Sequence, residues 1–284
     1  MPELPEVETV RRYLAPALRG RQIAAIELRR DNLRYPIPVA AVAALQGGRI
    51  VDVRRRAKYL LMDISATDGH RVALIHLGMS GRLILAPTAP PWQLHEHWRM
   101  RVDPTEDGAV LRYIDARRFG ALDVLAAAAE ADHRLLRQIG VEPLEPAFAG
   151  PWLHKQTRGG RAAIKTWVMD GRRIAGVGNI YASEALYRAR IHPERAAGGL
   201  SRAAATRLVD GIKSVLNDAI AAGGTSLRDF VQGDASPGYF KQRLDVYDRA
   251  AAPCRRCAET GGGATIARTV MLGRATYHCP RCQR

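Results

Sequence analysis

The chain is poor in lysine. Only Lys58, Lys155, Lys165, Lys213 and Lys241 interrupt an otherwise all-arginine set of 43 basic residues. It has no apolar run of about 18 residues, so nothing in it reads as a membrane span. Its start, Met-Pro-Glu-Leu-Pro-Glu, lacks the basic and apolar regions of a secretion signal. No internal repeat or long low-complexity tract is present. Together these absences predict a cytoplasmic protein. Cysteines number four, and thiols that stay reduced there serve more readily as metal ligands than as disulfides. Acidic residues are also few: 28 against 43 basic ones leave a formal net charge of +15. Such an excess calls for a polyanionic partner. Nucleic acid comes ahead of a membrane surface, because no basic amphipathic stretch stands out.

With 284 residues and 47% hydrophobic content, the chain can bury more than one core. Leu4, Val7, Val10, Leu14 and Leu18 recur at helical spacing and predict a helix within residues 1–20. Pro5 suits its first turn, and Glu6 and Glu8 complement the positive end of its dipole. From Gln22 to Leu125 the pattern turns strand-like, over 23–28, 49–64, 71–85, 98–102 and 109–115. An antiparallel β-sandwich or barrel is expected there. Gly, Pro and acidic residues crowd 140–151, a boundary signal. Beyond it the chain reads as helical. Ser201 is placed to cap a helix that runs to Ala222 and stops at Gly223-Gly224, and 223–243 reads as a loop. The expected organisation is an α+β multidomain chain: an N-terminal domain over 1–139, a linker over 140–151, a helical domain over 152–243 and a cysteine segment over 244–284.

Cys254 and Cys257 form one Cys-x-x-Cys pair, and Cys279 and Cys282 another. Two such pairs complete a four-sulfur tetrahedron and predict one structural zinc, with no open position for catalysis. The 21 residues between the pairs slightly exceed the usual spacing. The Gly261-Gly262-Gly263 run is expected to absorb the excess as a loose tip. From Cys254 onward six arginines face one acid, Glu259. A metal-stapled basic hairpin suits DNA; a zinc ribbon that binds protein is the alternative.

Once Met1 is removed, Pro2 carries a secondary amine whose pKa, near 8, leaves a useful neutral fraction. Such an amine can attack a sugar anomeric carbon and form an iminium. Glu3 and Glu6 flank it as acid, base or stabiliser of the cation. The same residues also suit an ordinary helix start. Lys58 is the only lysine in the first 150 residues and follows Arg54-Arg55-Arg56. Lysine can trade a proton where arginine cannot; an ordinary ion pair would also account for it.

Six segments then resemble one family in the same order along the chain. They begin at Pro2-Glu3-Leu4-Pro5-Glu6, Arg54-Arg55-Arg56-Ala57-Lys58, His76-Leu77-Gly78-Met79-Ser80-Gly81, Asp115-Ala116-Arg117-Arg118-Phe119-Gly120, Gly176-Val177-Gly178-Asn179 and Gly273-Arg274-Ala275-Thr276. The chain is similar throughout to the bacterial formamidopyrimidine-DNA glycosylases. The resemblance implies an N-terminal β-sandwich with flanking helices, a helix–two-turns–helix domain and a zinc-finger β-hairpin. It implies a monomeric glycosylase and abasic-site lyase, nucleoid-associated through DNA, that removes oxidised purines from duplex DNA. Pro2 would form the Schiff base and Glu3 would donate the proton for base release. Lys58 would act in β-elimination and Arg274 in δ-elimination. Met79, Arg117 and Phe119 would fill the space left by the flipped base. His95, Arg117 and Asn179 would contact phosphate. A further family contact falls near Gly160, with Arg161 as first candidate here and Lys165 as second. The 223–243 loop would cover the lesion. His278 stands where the family more often has another aromatic, and is available as a spare ligand. Two alternatives stay open: an endonuclease VIII-like enzyme for oxidised pyrimidines, and a zinc-finger lesion-binding protein without catalysis.

Overall fold

The computed structural model describes residues 2–87, 90–102, 109–224 and 240–284. Most of the expected loop over 223–243 lies outside the described residues. The chain divides into two compact units, Met1–Arg137 with Ala222–Lys241, and Gln138–Ala221 with Gln242–Arg284. No described helix is long and apolar enough to cross a membrane.

The first unit opens with α1 (Leu4–Leu18), which buries the predicted apolar face. Two antiparallel four-stranded sheets follow. One has the order β1 (Ile23–Leu28), β6 (Glu96–Val102), β7 (Val110–Ile114), β5 (Arg82–Ala86). The other has β2 (Arg49–Arg56), β3 (Tyr59–Ala66), β4 (Gly69–His76), β8 (Ala121–Ala126). Both give side chains to one core: Ile23, Trp98, Leu111 and Tyr113 from the first, Ile50, Leu60, Met62 and Ile75 from the second, with Val7, Val10 and Leu14 of α1. This is the sandwich of the two architectures expected. Trp98 and Tyr113 face each other across β6 and β7 and stack at 5.3 Å.

Strand boundaries differ from expectation where the chain reverses. The stretch 49–64 is a hairpin, because Ala57 turns at φ 52° and lets Arg56 pair with Tyr59. The stretch 71–85 breaks at Gly78, φ 63°. A short helix, α2 (Val39–Ala43), and strand β8 were not among the expected segments.

Strand directions bring five reversals to one rim. Tyr59 pairs with His76, and His76 with Ala121, so the 57–58 turn, the 77–81 loop and the 115–120 turn share one end of the second sheet. Glu96 and Arg82 both pair with Ile114, and Leu28 with Trp98, so the loops before β6 and after β1 join them.

The second unit contains α3 (Gly150–Thr157), α4 (Ile164–Val168), α5 (Asn179–Ala189) and α6 (Arg202–Ala221). Helix α6 lies where expected, with Ser201 Oγ accepting from the Ala204 N–H at 3.2 Å. The breaker-rich stretch is tied into this unit: the Gly140 N–H donates to Gly171 O at 2.9 Å. The cysteine segment holds α7 (Arg255–Glu259) and the hairpin β9 (Ala267–Met271)–β10 (Arg274–His278). The hairpin tip is Leu272-Gly273, both at positive φ. The glycine run is therefore not a loose tip. It closes α7, with the Gly262 N–H bound to Cys257 O at 2.7 Å.

Candidate active-site rim and metal centre

Pro2 is buried and Glu3, 2% exposed, is the N-cap of α1. The Glu3 N–H donates to Glu6 Oε2 at 2.9 Å, half of a reciprocal cap that aims the helix's positive end at residues 2 and 3. Gly224, at φ +82°, packs on Glu6, and its carbonyl accepts the Phe240 N–H at 3.1 Å.

Ion pairs set the direction of α1 against β2. Arg55 Nε reaches Glu8 Oε2 at 3.2 Å, and Arg19 reaches Asp52 at 2.6 Å. Helix and strand are thus antiparallel. From the Glu8–Arg55 link, residues 2–3 and Lys58 extend toward the same rim, about 8–10 Å along each element. Burial would raise the Glu8 pKa; the hydrogen bonds from Arg11 and Arg12 and the charges of Arg11 and Arg55 outweigh it and hold it low.

The turn that carries Lys58 is strained. Ala57 adopts a left-handed φ that favours glycine, and Arg55 Nη1 clasps its carbonyl at 3.0 Å. Among the described non-glycine residues of this unit, positive φ occurs at Ala57, His95 and Arg118 alone. All three are on the rim, where stored backbone strain marks functional loops.

Asp115, fully buried, organises that rim. Its Oδ1 accepts from Ser80 Oγ at 2.6 Å and the Arg117 N–H at 3.2 Å. Its Oδ2 accepts from the Gly120 N–H at 2.9 Å and Tyr113 Oη at 3.2 Å. Its own N–H donates to His95 O at 2.9 Å. A methyl group at Gly78 would collide with the backbone of Phe119 and Gly120. Met79 is thereby held beside the Arg117–Phe119 turn, where Phe119 is 44% exposed. His95 is exposed and adjoins Glu96, which is buried between Arg99 and Arg112. Burial would raise Glu96, but hydrogen bonds from Arg112 and Arg99 bring it down to about 2. His76 sits between the Lys58 and Phe119 reversals. Burial, with the cations Lys58 and Arg34 nearby, pushes it down to about 4. Its Nδ1 accepts the Gly78 N–H at 3.1 Å.

In the second unit Asn179 is the first residue of α5, one past the Gly178 cap. Its Nδ2 donates to Ala275 O at 2.9 Å, and its Oδ1 accepts from Lys165 Nζ at 2.6 Å. Lys165 also reaches Thr276 Oγ1 at 2.7 Å. Asn179 is thus tied to the residue after Arg274, which starts β10 and is exposed. Lys165 is 1% exposed and committed to protein partners, which leaves exposed Arg161 as the candidate near Gly160.

The four cysteine sulfurs lie within 4.8 Å of one another. Three of the separations are 3.8, 3.8 and 3.2 Å, close to the roughly 3.8 Å edge of a tetrahedron with 2.3 Å metal–sulfur bonds. This donor set can hold a metal ion. Cys254 caps α7 and Cys257 lies within it; Gln283 Oε1 accepts the Cys279 N–H at 2.8 Å. His278 is not a fifth ligand. It turns to His192, with the Nε2 atoms 3.2 Å apart.

The sequence assigned no role to Asp115, Arg55 or Glu184, and gave Glu8 only a helix-dipole role, not its link to Arg55. The Glu184 carboxylate accepts the N–H groups of Asp245, Val246 and Tyr247 at 2.8–2.9 Å and anchors the turn that opens the cysteine segment. An acid within an arginine-rich motif was the available signal for Asp115.

Two sequence families match the chain: the formamidopyrimidine-DNA glycosylase N-terminal domain over residues 1–122, and the H2TH domain of the same enzymes over 139–231. Fold and site thus define a DNA-repair glycosylase of the sandwich-plus-H2TH class. Formamidopyrimidine-DNA glycosylases of Acidiphilium cryptum and Methylococcus capsulatus are each 50% identical to it, with complete coverage of both chains. The chain belongs to the formamidopyrimidine-DNA glycosylase family. Among solved structures, a Lactococcus lactis FPG variant in complex with Fapy-dG-containing DNA is 33% identical, covers all of both chains and superposes with a TM-score of 0.88. The MutM (FPG) protein of Thermus thermophilus is 36% identical over 99% of this chain and 98% of its own, with a TM-score of 0.84.

Proposed function

We propose that the chain excises oxidised purines, 8-oxoguanine and formamidopyrimidines, from duplex DNA and then cuts the strand by β,δ-elimination. The observation that carries this reading is the direction of α1: it extends Pro2, Glu3 and Lys58 toward the rim that also bears Met79, Arg117 and Phe119.

With Met1 removed, the Pro2 nitrogen attacks the C1′ atom of the flipped nucleotide. The C1′–base bond breaks, with Glu3 supplying the proton that leaves with the base. The Pro2 N–H proton is lost, and the sugar ring then opens at the C1′–O4′ bond, O4′ taking up a proton, to leave an iminium joining protein to sugar. The iminium acidifies the 2′ hydrogen. Its loss breaks the 3′ C–O bond, with Lys58 moving the proton. Arg274 serves the second elimination, at the 5′ side. Met79, Arg117 and Phe119 replace the extruded base in the stack, and His95, Arg117, Arg161 and Asn179 hold phosphate. The metal we assign to the four cysteines is zinc. It supplies folding energy to the segment and takes no part in the reaction.

Borohydride reduction of the chain with 8-oxoguanine duplex is expected to trap a covalent adduct, lost on Pro2→Gly. No adduct from a chain shown by mass to start at Pro2 leaves a lesion-binding protein instead. Faster cleavage of thymine glycol than of 8-oxoguanine overturns the purine assignment.

A further inference from the structure

The rim holds a groove of which the chemistry above uses only Arg117 and Phe119. Arg34 and Tyr35, in the loop after β1, line one wall; Arg117, Arg118 and Phe119 line the other, around a volume of about 580 Å³. The walls are joined by the Arg34 N–H, which donates to Gly120 O at 3.1 Å. Tyr35 is braced from behind by Arg134 at 4.4 Å, itself paired with Asp123 at 3.2 Å. The Arg34 guanidinium rests over the same ring at 5.5 Å. Elsewhere in this unit Arg11, Arg12, Arg19, Arg54, Arg55, Arg99 and Arg112 spend their charge on carboxylates. Among the described residues Arg34, Arg117 and Arg118 meet none. Exposed guanidiniums held in place but not neutralised make an anion site.

Order along the rim identifies the anion. The Lys58 turn caps β2 and β3, the Met79 loop follows β4, the Phe119 turn precedes β8, and Arg34 lies beyond Gly120. Two strand spacings, about 10 Å, separate Tyr59 from Ala121. If Lys58 works on the damaged strand, and Met79, Arg117 and Phe119 fill the base stack, the next position across the duplex is the undamaged strand. Resting on the glycosylase reading, we infer that this groove binds the strand opposite the lesion, with Arg34 and Arg118 on its backbone phosphates.

The test uses labelled duplexes with a tetrahydrofuran abasic analogue, with or without methylphosphonate linkages in the opposite strand around the facing nucleotide. The unaltered chain is expected to bind the neutralised duplex about tenfold more weakly. The double variant Arg34→Gln, Arg118→Gln, altered at two exposed positions, should bind the ordinary duplex about tenfold more weakly, with no added penalty from methylphosphonate. Its log–log salt slope should be shallower by about 2. Both chains should bind the single-stranded abasic oligonucleotide alike. A variant that keeps the full methylphosphonate penalty, or loses affinity equally for the single strand, overturns the inference. Borohydride trapping separates the two readings: an adduct without any methylphosphonate penalty sinks the groove alone, while failure to trap sinks both.

Discussion

The sandwich rim and the cysteine hairpin solve the same problem by different means. Each must hold short basic loops still. The rim hangs its loops on one buried carboxylate, Asp115, backed by a core from two sheets and a helix. The hairpin has two strands and a core cluster of Tyr187, Val246, Ile266 and Tyr277 with three of the four cysteines. A two-stranded hairpin is marginal in water, so a metal held by the four sulfurs would add most to its order. Closely set thiols also repel one another once ionised, which burial aggravates; a cation relieves both. A rim built on a large core can stand on its packing alone, whereas a finger with only a small core cluster is where a metal-binding set of four sulfurs has most to add.

Metal removal is the largest blow to this contrast. Stripping the metal with a chelator, or Cys257→Ser, should lower affinity for an abasic-analogue duplex about 100-fold or more. Hydrogen exchange should then show protection lost over 254–284 and kept over the strands of the first unit. Loss of protection in both would show that the sandwich, too, depends on the finger, and the contrast would fail.

The converse change attacks the rim. Asp115→Ala strips the acceptor from the Gly120 N–H and the Ser80 hydroxyl, and leaves the Arg117 N–H and Tyr113 Oη with only Ser80 Oγ and His76 O. It should cost about 3–5 kcal/mol, a melting-point loss of some 10 °C, with little effect on metal content. Equal melting of variant and parent would show that the loops stand without the carboxylate.

The two regions were also unequally legible. Cysteine spacing identified the ligands, because metal geometry dictates spacing. Apolar periodicity found α1 and α6, because one face of each is buried. Short reversals were harder. Nothing local announces that Ala57 bends the chain, since alanine lacks the freedom that glycine advertises; the clasp from Arg55 and Glu8 that holds it comes partly from 47 residues away. Asp115 was visible as a motif letter but not as a hub, because its partners lie at Ser80, Tyr113 and Gly120. Lys165 read as a second candidate for a phosphate contact, and only the packing of β10 on α5 shows why a lysine is buried there.

Acid should weaken the rim in a defined window. His76 has a folded pKa near 4 against 6.5 unfolded. As pH falls below 6.5 the unfolded chain takes up the proton first, so stability drops until the folded imidazole also titrates near 4. The loss is at most about 3 kcal/mol. Urea unfolding between about pH 7 and 4 should show this slope, and His76→Gln should remove most of it. An unchanged slope in the variant would assign the acid sensitivity to other groups. Glu96 weakens the fold by the same logic only lower, as pH falls from 4.5 toward 2.

The smallest change is the most specific. Arg55 joins Glu8 of the helix behind Pro2 to the carbonyl of Ala57 in the turn of Lys58. Arg55→Met keeps much of the apolar stem and removes the clasp. Part of the left-handed strain at Ala57, of order 1–3 kcal/mol, can then relax by moving the turn. Global stability should fall by only about 1–2 kcal/mol, with adduct trapping by Pro2 within about twofold of the parent. Single-turnover elimination at a preformed abasic site should slow about tenfold, about 1.4 kcal/mol in barrier. Glu8→Gln, which weakens the same grip without emptying it, should give a partial version of this split. If trapping and elimination fall together, the clasp is a general support of the fold and not a device for aiming Lys58.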